Sequence, residues 1–302
     1  MRILETLMGR TSTESPKKAP EKVPVALKLP TAPAGIGRVH GLPRSGNHAV
    51  IKWVMRNLPH QDQVFLNNCV PFRDPMIYHG EVEVNGVRVK QRMRERGHCR
   101  PALRQLSGET PPFVLVSYER WVPGMALAED GRLSQDLDDR GFDFQILVYR
   151  SLLNWLASLV MLQRRKAEAD GTPEAAAKVV STQLTRYQQV LGLLHEDRLP
   201  GITPVCYDDW FNSDEYRSGR LAALGLPEQD NRLGQVSKYG GGSSFEKVKV
   251  GEKLGVESRW KELMPDPEYR AHLARMAQNE SFMAALAALF PADADVIASE
   301  RL

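Results

Sequence analysis

Gly41-Leu42-Pro43-Arg44-Ser45-Gly46-Asn47-His48 has the parts of a phosphate cradle that works without a metal ion. Gly41 and Gly46 keep the G-x-x-x-x-G spacing of a nucleotide-triphosphate loop, yet Asn47 and His48 stand where its Lys and its Mg²⁺-ligating Ser/Thr belong. What remains is a turn rich in backbone amides, the hydroxyl of Ser45 and the cation of Arg44, a set suited to a phosphate group. The bland alternative is an ordinary Gly/Pro turn.

A second pair of candidates is Arg150 and Ser158. Arg150 ends an apolar run, and Ser158 follows eight residues on, about two turns into the next helix. They reach one anion only if strand end and helix are closely apposed; otherwise they read as a solvated Arg and a helix hydroxyl. Arg73, Arg92, Arg94, Arg96 and Arg100 would suit an anionic ligand, although such a run more often forms a solvated face.

The elements that position these residues follow from periodicity. Ile36-Gly37-Arg38-Val39-His40 before the loop is short and β-prone, while Val50, Trp53, Val54 and Leu58 after it mark the apolar stripe of a helix. The loop is therefore a strand-to-helix turn, its amides aimed at an anion from a helix N-terminus. Phe113–Ser117, Phe144–Tyr149 and Pro204–Tyr207 are mainly apolar runs of the kind buried in parallel sheets. Helices are expected over Leu152–Lys166, Pro173–Leu194 and Glu215–Leu224, with an Ala-rich helical cover from Pro267 to Ala288. Ile77–Val89, with Asn85-Gly86 at its centre, reads as a hairpin inserted to shape a cleft. Alternation of strand and helix predicts an α/β fold, a parallel central sheet flanked by helices, with ligands at the strand C-terminal ends.

Residues 1–35 are expected to form a flexible Pro/Lys/Ser/Thr-rich tether and 36–302 a single domain. No apolar run reaches the length of a membrane helix, and the N-terminal residues carry Glu5 within too short an apolar core for a secretory signal, so a cytoplasmic protein is expected. Cys69, Cys99 and Cys206 are odd in number and lack C-x-x-C pairing, which argues against a disulfide framework or a zinc site. A net charge of +3 is too small to argue for nucleic acid.

Segments matching in order resemble the cytosolic-type sulfotransferases, whose donor is 3′-phosphoadenosine 5′-phosphosulfate. Pro43-Arg44-Ser45-Gly46-Asn47 is similar to the family's 5′-phosphosulfate loop, and Arg150 with Ser158 has the spacing of its 3′-phosphate pair. Ser243-Ser244-Phe245-Glu246-Lys247-Val248-Lys249 resembles its adenine-contacting segment, and Lys253 to Trp260, with Gly255, resembles the stretch that closes over the 3′-phosphate. Tyr207, in Tyr207-Asp208-Asp209-Trp210, matches a Tyr-Glu-Asp segment whose Tyr approaches the adenine edge. The resemblance spans roughly residues 36–262 and implies a P-loop-like sulfotransferase architecture. Departures are Ala49, where the family has an adenine-flanking Trp, and Leu254, where it has a second basic residue; both imply weaker donor binding.

The residues agree with that chemistry. The donor carries two anions and an adenine, matched by Arg44 and Ser45, by Arg150, Ser158 and Lys253, and by Phe245 as a stacking surface or a core aromatic. The expected activity moves a sulfuryl group to an acceptor hydroxyl, a glycan among the candidates, with no metal. Arg44 would sit beside the bridging oxygen. The base is His in the family; here Glu119 aligns with it, with His48 and His79 as competitors and an ion pair with Arg120 as the structural alternative. The rival readings are a P-loop small-molecule kinase and a non-catalytic nucleotide-binding relative.

Overall fold

The computed structural model describes residues 26–90, 103–119, 123, 141–234 and 259–300. Its centre is a seven-stranded sheet in the order β4-β3-β2-β5-β1-β6-β7. The strands are β1 (Gly35–Gly41), β2 (Gln63–Asn67), β3 (Glu81–Val84), β4 (Val87–Lys90), β5 (Phe113–Tyr118), β6 (Phe144–Tyr149) and β7 (Thr203–Cys206). β2, β5, β1, β6 and β7 are parallel neighbours, and β3 pairs antiparallel with both β2 and β4. β1 lies between β5 and β6, so the chain leaves it over β5 towards β2 and later extends the sheet on the other side. In open α/β sheets, ligands bind at the strand C-terminal ends where the strand order reverses, which here is the end of β1.

Two-residue alternation divides the core. Phe113 and Leu115 of β5, with Ile146 and Val148 of β6, face helix α1 (Asn47–Asn57), whose Val50, Trp53 and Val54 are fully buried against them. Val114 and Val116 face the opposite side with Val64, Leu66, Val82 and Val84. Leu147 on that same side meets the helical layer of α2 (Leu152–Asp170) and α3 (Pro173–His195). After β7 come α4 (Tyr207–Asn212) and α5 (Asp214–Ala223), then α6 (Arg259–Leu263), α7 (Pro267–Ala277), α8 (Glu280–Leu289) and α9 (Pro291–Ser299).

Several expectations change here. Gln63–Asn67 is a strand that its short apolar run did not reveal, and through it the hairpin becomes the edge of the main sheet rather than an insertion. Asn85 and Gly86 take φ of 46° and 81° in its tight turn. β7 ends at Cys206, and Tyr207 opens a helix. The helical tail is three helices, because Asn279 caps α8 by accepting from the Phe282 amide and Pro291 starts α9. Residues 26–34, expected within the tether, lie against the domain: Leu27 is buried and its amide donates to the Met76 carbonyl at 2.7 Å.

α9 also returns a carboxylate to the start of α2. Asp293 accepts from the Leu153 amide at 3.1 Å, and burial pushes its carboxyl up to about 6 from an ordinary 3.8. A raised folded pKa means that Asp293 contributes stability fully present below 3.8 and lost as pH rises through about 6. Asp293→Asn stays neutral while still able to accept from the amide. Its thermal midpoint relative to the parent is therefore expected to be more favourable at pH 7.5 than at pH 5; a difference constant across that window would contradict the assignment.

Candidate functional site

The loop between β1 and α1 is shaped by residues that tolerate unusual backbone. Gly46 has φ 90° and ψ 13°, and a Cβ there would also overlap the Tyr207 ring, so both conformation and space require glycine. Arg44 has φ 74°, a left-handed conformation that costs a non-glycine residue roughly 1–3 kcal/mol and is found where a site demands it. The Ser45 amide closes the turn onto the Leu42 carbonyl at 3.1 Å. α1 begins with no side-chain cap and no acidic residue in its first turn, which leaves the positive end of its dipole facing the loop after β1. Ser45 is 1% exposed, and its Oγ has no hydrogen-bond partner among the described residues. A buried hydroxyl left so costs about 1–3 kcal/mol, a cost that a bound anion would remove.

Cations converge on this turn. Arg44 donates through Nε to Ser158 Oγ at 2.9 Å, and α2 is tied to the loop by Trp155 Nε1 on the Pro43 carbonyl at 2.9 Å. Burial lowers the Arg44 pKa, and the nearby charges of Arg165, Arg259 and Arg150 lower it further, with Glu119 opposing them. Arg150 and Arg259 are themselves buried, at 3% and 6% exposure. Like charges crowded in a desolvated place raise the local positive potential, and an anion entering among them relieves it.

The expected 3′-phosphate pair is arranged differently from its sequence reading. Ser158 receives Arg44, whereas Arg150 lies 3.3 Å from Asp208 Oδ1 with its guanidinium 4.9 Å over the Tyr207 ring. Asp208 also accepts from the Ser151 amide at 2.8 Å, and the Arg150 carbonyl accepts from the Tyr187 hydroxyl at 2.7 Å. Arg44 thus spans from the loop to α2 and joins the two expected anion positions into one cationic group. Tyr207 is 8% exposed, packed under Gly46 and stacked 5.6 Å from Trp210, which makes it the floor of the loop.

Glu119 follows β5 and meets the first turn of α1. Its Oε1 lies 3.4 Å from Asn47 Nδ2 and 3.7 Å from His48 Nε2. Burial pushes the His48 pKa down to about 4, assisted by Arg88 and Lys52 and opposed by Glu83, so His48 is neutral and weakly basic at pH 7. His79 is buried in its own turn, with Nδ1 2.7 Å from the Pro75 carbonyl. Arg73 lies over the Tyr78 ring at 5.5 Å. Burial raises the Cys69 and Cys206 thiols to about 12, which makes them protonated packing residues.

Ser243, Phe245, Lys253 and Gly255 lie outside the described residues, as do Arg92, Arg94, Arg96, Cys99, Arg100 and Arg120. Two participants were not singled out from the sequence. Arg259 stands inside the Lys253–Trp260 stretch, and its charge was the available signal; Asp208 sits beside Tyr207 and becomes visible only once α4 places it on Arg150. Among the described residues no helix is long and apolar enough to cross a membrane, and no group of His, Cys, Asp or Glu gathers to hold a metal.

Fold and site together define an α/β protein with a group of arginines around the loop at the C-terminal end of β1. Comparison with protein-family models, curated proteins and solved structures finds no match to the chain.

Proposed function

We propose that the chain is a sulfotransferase of P-loop-like architecture that moves a sulfuryl group from 3′-phosphoadenosine 5′-phosphosulfate to the hydroxyl of an acceptor, a glycan being the acceptor class its Arg-rich segment suits. The observation that carries the reading is the group of half-buried Arg44, hydrogen-bonded to Ser158, with the buried Arg150 and Arg259 whose charges act on it, set against a helix N-terminus whose loop lacks the triphosphate Lys and Ser/Thr. Such a group fits a ligand with two separated anions better than a metal-bound triphosphate.

The residues divide the work. The α1 amides, Ser45 and Arg44 hold the sulfated phosphate end, and Arg150, Ser158 and Arg259 hold the 3′-phosphate. Arg44 faces the oxygen on which negative charge collects as its bond to sulfur breaks, the position where a fixed donor lowers the barrier most. Glu119 accepts the proton of the acceptor hydroxyl as that oxygen bonds to sulfur. The bisphosphate product and the sulfated acceptor then leave.

The test is a thermal-shift comparison of adenosine 3′,5′-bisphosphate, 5′-AMP and Mg²⁺-ATP. A ligand at one hundred times its Kd adds about 2.7 kcal/mol, so a specific bisphosphate shift is easily read. Arg150→Ala is expected to weaken the bisphosphate by one to two decades, about 1.5–3 kcal/mol, with 5′-AMP nearly unchanged. The variant's ligand-free melt must be recorded alongside, because Arg150 also packs on Tyr207. Equal losses for both nucleotides would remove Arg150 as the 3′-phosphate contact, and stabilisation by Mg²⁺-ATP alone would favour a kinase. Bisphosphate binding without transfer to any acceptor would point to a non-catalytic relative.

A further inference from the structure

We infer that Asn47 is a positioning residue that holds the Glu119 carboxylate, so that the loop place given to Lys in metal-nucleotide loops here secures a base. The inference rests on the reading of Glu119 as the proton acceptor and assigns Asn47 a role other than donor binding.

Asn47 is 5% exposed, and its amide has a defined orientation. Nδ2 donates to the Leu42 carbonyl at 3.0 Å and reaches Glu119 Oε1 at 3.4 Å, two acceptors that only the NH₂ end can serve. Its two hydrogens are thereby committed. Oδ1 is turned to Gly41, where a Cβ would overlap it, so the loop's first glycine makes room for this rotamer. Asn47 therefore links the backbone of the phosphate loop to the carboxylate at the end of β5, the strand paired beside β1.

His48 borders the same carboxylate. Its Nε2 lies 3.7 Å from Glu119 Oε1, beyond hydrogen-bond length, and its ring meets Phe65 edge-on at 6.4 Å. The charged groups around this corner are Arg44 from the loop, Lys52 one turn further along α1, Glu83 on β3 and Arg88 on β4. Lys52 is paired with Glu83, and Arg88 with Glu81, while Asn47 reaches Glu119 Oε1 at short range through Nδ2. Donation to the charged form favours a carboxylate that is ionised and fixed, the state a general base requires.

The experiment titrates Glu119 itself. In protein labelled with ¹³C at the Glu carboxyls, with the resonance assigned by Glu119→Gln, Asn47→Ala is expected to raise the Glu119 pKa. Asn47→Asp, which sets a like charge against it, should raise it by roughly one unit or more. The acid limb of the kcat profile should move in parallel. The thermal shift given by adenosine 3′,5′-bisphosphate should persist. Asn47→Ser, which keeps one shorter donor, should fall between and serves if Asn47→Asp does not fold. An unmoved Glu119 titration in the folded variants overturns the inference, as does loss of the bisphosphate shift with an unchanged pH profile, since Asn47 would then be a donor contact. A moved titration in a chain that transfers no sulfuryl group upholds the hold on Glu119 and overturns the proposed reaction instead.

Discussion

Arg44→Ala is expected to lower turnover by about two decades or more, the usual loss when one fixed donor to a transition-state oxyanion is removed. Affinity for adenosine 3′,5′-bisphosphate should fall by a smaller factor, because the buried Arg150 and Arg259 remain. The structure adds a way to separate charge from geometry. Arg44 reaches Ser158 through Nε at 2.9 Å, a contact set by the planar guanidinium. Arg44→Lys keeps the charge and loses that fork, so its turnover should lie between the parent and the Ala variant. Steady-state kinetics at saturating donor, set beside calorimetric binding of the bisphosphate, decide the matter. Preserved turnover with weakened binding would make Arg44 a ground-state contact.

The second large effect concerns Glu119→Gln, which keeps size and removes the proton acceptor. Turnover should drop by roughly two to four decades, the range for loss of a positioned general base. Bisphosphate binding should be unchanged or slightly tighter, since Glu119 offsets the positive charge acting on Arg44. His48→Asn is expected to cost less than about tenfold, because an imidazole with its pKa pushed down to about 4 is already a poor base at neutral pH. His79→Asn should leave turnover near the parent value, the ring being occupied with the Pro75 carbonyl. A Glu119→Gln enzyme with near-normal turnover would end the assignment, and a collapse confined to His48→Asn would transfer the role to His48.

Much of the framework was legible because its causes are local. Gly46 is glycine for its left-handed backbone, and the spacing from Gly41 shows in the sequence as a loop. The stripe of Val50, Trp53 and Val54 fixes which side of α1 is buried, and the apolar runs of β5 and β6 are those of strands covered on both faces. Asn85-Gly86 marks a hairpin because both residues accept positive φ. β2 escaped notice since only Val64, Phe65 and Leu66 are apolar between Gln63 and Asn67, a run too short to separate from a loop without its neighbours.

The site divides along the same line. Residue types at close spacing were enough to single out Arg44, Ser45, Gly46 and Asn47 as a strand-to-helix turn, because its glycine and the helix start that follows lie within a few residues of one another. Which distant groups complete it was settled by packing alone. Arg44 meets Ser158 across 114 residues, and Asp293 reaches Leu153 across 140. Asp208 takes Arg150 only because α4 starts directly at the end of β7. Arg259 joins the cations through the position of α6, and Glu119 finds Asn47 through the parallel register of β1 and β5. Periodicity and turn chemistry record the conformation of neighbours along the chain, whereas the pairing of buried charges depends on which helix covers which strand end, and that is decided only when the sheet and its layers close on one another.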